Sequence, residues 1–134
     1  MTYSLRSKLP DVGTTIFTVM SKLAADCNAI NLSQGFPSFN PPEALVERTC
    51  HYLRNGSNQY PPMPGVPQLL AAIAEKTATL QQRAVDAERE ITVCSGATEA
   101  LFSAIQTIVH RDDEVIVFDP AFDMYRPSVT LAGG

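Results

Sequence analysis

Two short apolar runs, Ile91-Thr92-Val93-Cys94 and Glu114-Val115-Ile116-Val117-Phe118, bracket a stretch in which Leu101, Ile105 and Ile108 recur at helical spacing. Both runs are rich in β-branched residues, which favours strands. A strand, helix and strand in succession predict a right-handed parallel crossover, so the chain is read as α/β. The first strand enters its helix through Ser95-Gly96-Ala97-Thr98. At that helix N-terminus the first backbone N–H groups have no intrahelical partner. The aligned peptide dipoles there favour an anion by about 0.3 to 1 kcal/mol per charge at an exposed site. Gly96 and Ala97 are small enough to let a phosphate approach. The same residues also suit an ordinary turn with an N-cap, so the turn alone supports either reading.

Helices are expected on both sides of this unit. Thr14 or Thr15 caps a first helix carrying Phe17, Met20, Leu23 and Ala24 and ending near residues 26–28. A short extended piece over residues 29–32 leads into the Gly- and Pro-rich loop of residues 33–42. Pro42 starts a second helix, closed by Asn55-Gly56. In the loop that follows, Asn58-Gln59-Tyr60-Pro61-Pro62-Met63-Pro64-Gly65, prolines fix φ repeatedly and set Tyr60 on a stiff stalk. A third helix is predicted over residues 67–82, with Leu69, Leu70, Ile73, Ala74, Thr77 and Leu80 at spacings of three and four. The second strand stops at Asp119-Pro120, and a further helix is expected to begin within residues 121–125.

The 134 residues carry a net charge of −4 and no Lys/Arg cluster, which disfavours a nucleic-acid or anionic-membrane surface. No apolar run is long enough to span a bilayer and the N-terminus has no apolar signal-like core, so a cytoplasmic location is expected. Cys27, Cys50 and Cys94 form no C-x-x-C pair and no zinc spacing, and are read as reduced, mostly buried small hydrophobes. No metal site is expected. The turn lacks G-x-G-x-x-G and G-K-[ST], which sets aside dinucleotide and kinase-type phosphate binding.

Four anchors follow in order: Asn31-Leu32-Ser33-Gln34-Gly35-Phe36-Pro37; Asn58-Gln59-Tyr60-Pro61 with Gly65; Gly96-Ala97-Thr98-Glu99-Ala100-Leu101; and Asp119-Pro120-Ala121-Phe122-Asp123-Met124-Tyr125. Together they resemble the N-terminal part of a fold-type I, class I pyridoxal-phosphate aminotransferase. The pattern is most similar to the bacterial methionine aminotransferases and the kynurenine aminotransferase and cysteine-conjugate β-lyase group. The resemblance implies an N-terminal arm and substrate-side loop over residues 1–42. It further implies the beginning of the large cofactor-binding domain, a three-layer α/β/α fold, over residues 43–134, with its sheet incomplete in this chain.

The resemblance also assigns roles. Gly96, Ala97 and Thr98 would wrap the phosphate of pyridoxal 5'-phosphate, and Phe122 would stack on its ring. Without the other motifs Phe122 reads as a core residue. Tyr60 would reach the phosphate held by the other subunit of a homodimer. Gly35 would offer its N–H to the substrate carboxylate, and Phe17 would line the substrate pocket, although its helical stripe equally suits a core position. Substrates would be an amino acid, methionine or aromatic-like, and a 2-oxo acid.

The covalent lysine, the acid that keeps the pyridine nitrogen protonated and the usual carboxylate-binding arginine lie further along in the family. Lys8 and Lys22 follow serines but precede the phosphate turn, and with Lys76 they are read as solvated; no catalytic residue is assigned in this chain. The expectation is a truncated or interrupted coding sequence, inactive alone, with unpaired strand edges and an uncovered apolar helix face. The other readings are a noncatalytic phosphate-binding module, a structural fragment or half of a split enzyme, and a β-lyase.

Overall fold

The computed structural model describes residues 5–35 and 37–134; Phe36, in the first of the four anchors, lies outside the described residues. Among the described residues five helices follow one another: α1 (Ile16–Asp26), α2 (Glu43–Arg54), α3 (Pro67–Gln81), α4 (Gly96–Ile108) and α5 (Tyr125–Ala132). The chain divides into two units, one of Met1–Phe36 with Ser95–Gly134 and the other of Pro37–Cys94.

In the first unit, α1 starts where expected. Thr15 is its N-cap, with its hydroxyl accepting the Thr18 amide at 3.4 Å, and Asn28 turns the chain away at φ 48°. α4 and α5 are joined by a hydrogen bond in which Gln106 Nε2 donates to the Ser128 carbonyl at 2.9 Å. Ser128 is buried, as is Val109 just past the end of α4. The C-terminal turn closes this packing: Gly133 caps α5 at φ 103°, and its carbonyl accepts the Asp112 amide at 2.8 Å.

α5 begins at Tyr125, the last position of the stretch 121–125 within which the sequence places its start. Pro127 is the physical reason. It has no N–H and its ring opposes the carbonyl four residues back, so it belongs in a first helical turn and not an interior one. Starting at Tyr125 puts it in that first turn.

The second unit is built on α2 and α3. Glu43 lies in the first turn of α2 and His51 and Arg54 in its last, matching the helix dipole at both ends. Pro42 is the residue just before that helix, one position earlier than a helix-starting proline usually stands. Pro67 takes that usual position in α3, whose Leu70 is 6% exposed.

The expected strands are not formed. Among the described residues, 91–94 and 114–118 enter no β-ladder. A strand exists only against a partner that takes up its backbone donors and acceptors, and residue type cannot supply one. Ile116 and Phe118 are each 87% exposed, and Ile108 at the end of α4 is 70% exposed. The cysteines are free, as read, but not buried: Cys27 is exposed, and Cys50 and Cys94 are partly so, for want of a core deep enough to cover them.

Candidate functional site

The turn into α4 has the form the sequence suggested. Ser95 is the N-cap, at φ −75° and ψ 66°, and its side chain makes no capping bond. Gly96 follows at φ 85°, in the left-handed region where glycine is favoured. Nothing lies within 4 Å of where a Cβ on Gly96 would stand, so the constraint there is conformational and not steric. Residues 95–99 are all exposed. The N–H groups of Gly96, Ala97 and Thr98 are those a helix leaves without internal partners, and the Thr98 hydroxyl adds a donor on the same turn. This donor set fits a phosphate ester.

One residue of the turn escaped the sequence reading. The Ser95 N–H donates to Oε2 of Glu99, so the acid in the first turn folds back onto the N-cap amide. The pattern is a relative of the capping box, with the acid four residues after the cap instead of three. That Ser-x-x-x-Glu spacing was the available signal.

Phe122 precedes α5 and is 42% exposed. Its ring meets Tyr125 edge-on, with centroids 5.9 Å apart and an interplanar angle of 81°. It lines an apolar cleft of about 550 Å³ together with Leu101 and Ile105 of α4, Phe118 and Tyr125. The helix that opens with the phosphate-competent turn therefore shares a wall with Phe122. Asp119 and Arg126 form an exposed ion pair across the segment that carries the ring.

The remaining candidates are less enclosed. Phe17, 39% exposed on α1, is not among the residues lining the nearby cleft of about 370 Å³, which is bounded by Met20, Leu23, Ala24, Ile30 and Leu32. Gly35 is exposed, and nothing stands within 4 Å of its absent Cβ. The loop before it is fastened by Asn31, whose Oδ1 accepts from the Ser33 amide at 3.0 Å and the Ser33 hydroxyl at 2.6 Å. The Nδ2 of Asn31 also reaches Ser21 Oγ of α1 at 3.2 Å. In the other unit Tyr60 is 99% exposed. Its loop is held at one end by Asn58 Nδ2 donating to the Leu53 carbonyl at 2.6 Å, and at the other by the Val93 amide donating to Pro64 at 2.8 Å.

Lys8, Lys22 and Lys76 are all exposed, and Lys22 is spent on an i,i+4 pair with Asp26 at 2.7 Å. Among the described residues no group of three or more His, Cys, Asp and Glu is placed to hold a metal ion, and no helix is long and apolar enough to cross a membrane.

Against known families, residues 28–134 match the model described as aminotransferase class I and II. Methionine aminotransferase of Escherichia coli (strain K12) is 55% identical over 129 residues, 96% of this chain and 33% of that protein. Kynurenine–oxoglutarate transaminase 1 of Homo sapiens is 39% identical over 115 residues, 84% of this chain and 27% of that protein. The solved structure of YbdL from Escherichia coli, identified as having a methionine aminotransferase function, superposes with a TM-score of 0.93 at 53% identity, over 99% of this chain and 35% of that one. The chain thus spans about a third of the length of the curated relatives it matches.

Proposed function

Because this chain belongs to the class I and II aminotransferases, a pyridoxal-phosphate-dependent family, we propose that it supplies the phosphate cup and ring-stacking part of an enzyme that moves an amino group from an amino acid to a 2-oxo acid. The observation that carries the reading is the turn at Gly96, whose φ of 85° opens α4 with a row of exposed amides. The 55% identity with a methionine aminotransferase favours an amino donor with a methionine-like or aromatic side chain.

Pyridoxal phosphate, when bound, supplies the acceptor for the amino group and a ring that withdraws electrons from the substrate's α-carbon. This chain's part is to hold and orient it. Gly96, Ala97 and Thr98 take the phosphate, and Phe122 offers a flat apolar face to the ring. Tyr60, fully exposed on its proline stalk, reaches the phosphate of a second subunit in a homodimer. Gly35 gives its N–H to the substrate carboxylate, and Phe17 bounds the side-chain pocket. Residues 1–42 act as arm and substrate-side loop, and residues 43–134 begin the large three-layer domain, whose sheet is completed by strands outside this segment. The covalent lysine also lies outside it, so these 134 residues do not transaminate alone. The acidic charge balance and free cysteines support a cytoplasmic setting.

An absorbance titration of the 134-residue chain with pyridoxal phosphate, then borohydride reduction and peptide mapping, tests this. Saturable binding with no reduced adduct on Lys8, Lys22 or Lys76 is expected. A specific adduct on one of them would overturn the division of labour.

A further inference from the structure

We propose that Glu99 is a positioning residue for the phosphate turn, which deepens the cofactor reading above and rests on it. A carboxylate in the first turn of a phosphate-holding helix is at first sight a defect, because it repels the ligand that the turn's amides attract. Its geometry gives it a different part. Oε2 of Glu99 accepts the N–H of Ser95, the N-cap, and so closes a side-chain-to-backbone ring across the residue that must adopt φ 85°. Ser95 contributes no side-chain cap of its own, which leaves Glu99 as the side chain that ties down the start of α4.

Two consequences follow. The Ser95 amide is withdrawn from the ligand's donor set, and the phosphate is directed one residue inward, onto the amides of Gly96, Ala97 and Thr98. The negative charge is also partly neutralised by the N–H it engages. Without that tie the Gly96 backbone has open space around it and is free to leave the conformation that aligns the three amides.

The test compares Kd for pyridoxal phosphate with Kd for pyridoxal, which lacks the phosphate. It is made on the full protein in wild-type, Glu99→Ala and Glu99→Gln forms, with hydrogen exchange at the Ser95 amide followed in the cofactor-free state. Glutamine keeps an oxygen that can accept the Ser95 N–H but removes the charge. The expected result is that Glu99→Ala lowers the preference for pyridoxal phosphate about tenfold, as misalignment of one amide that donates to the charged phosphate would. Pyridoxal affinity should be unchanged, and the Ser95 amide should lose its protection. Glu99→Gln should retain both preference and protection. An alanine variant that keeps the preference, a glutamine variant that loses it equally, or an equal loss of pyridoxal affinity would overturn the role of Glu99. A wild-type protein with no preference for the phosphorylated form would instead overturn the phosphate reading of the turn.

Discussion

Gly65 lies against Val93 so closely that a Cβ on the glycine would stand 2.7 Å from Val93 Cγ2, while the Val93 amide donates to Pro64 at 2.8 Å. The proline loop that carries Tyr60 is thereby seated on the segment leading to the phosphate turn. Gly65 also has a φ of 125°, which a side chain rarely adopts. Gly65→Ala therefore meets strain and overlap together, and should destabilise the protein by about 2 to 4 kcal/mol. Urea unfolding reads this as a lowered midpoint at unchanged slope.

Gly96→Ala separates the two effects, since φ is 85° but the space is open. Only the backbone term should remain, about 1 to 2 kcal/mol. A loss as large as that of Gly65→Ala, measured the same way, would mean the turn is more crowded than described.

Thr98→Ala removes one hydroxyl donor from an otherwise intact amide row. Affinity for pyridoxal phosphate should fall about tenfold, as expected for a hydrogen bond to a charged group, with affinity for pyridoxal unchanged. Fluorescence titration of both ligands checks it, and equal affinities in wild type and variant would remove Thr98 from the phosphate contacts.

Phe122→Leu retains apolar bulk and discards the aromatic face, which discriminates a stacking ring from a core one. For stacking, cofactor affinity should drop by about 0.5 to 1.5 kcal/mol while thermal stability changes little. A side chain that merely filled the cleft beside Leu101 would show the reverse, with binding intact.

Gln106→Leu removes the side-chain donor to the carbonyl of buried Ser128 at the junction of α4 and α5. The expected loss is about 0.5 to 1.5 kcal/mol. Amide exchange in α5 should accelerate with it, while exchange in α2 and α3 should not.

Much of the candidate site was legible because its signals are local. The Ser95-Gly96-Ala97-Thr98 turn, the Thr15 cap, the proline opening α3 and the Asn55-Gly56 stop of α2 each act within about one helical turn, and the helices begin and end close to where those residues stand. The aminotransferase family was recognisable because four such local patterns occur in a fixed order, and residues 28–134 match it.

The tertiary structure decided what depends on residues far apart in the chain. Val115, Ile116, Val117 and Phe118 have every preference for a strand, but a strand is made by its neighbour, and among the described residues they have none. Three cysteines read as buried stand wholly or partly open, because burial is a property of what packs over a side chain and not of the side chain itself. The contact of Gly65 with Val93 and the reach of Gln106 to Ser128 span 28 and 22 residues, distances over which spacing carries no signal. Residue chemistry set the turns and caps of this protein; chain-distant packing chose which of its apolar faces are covered.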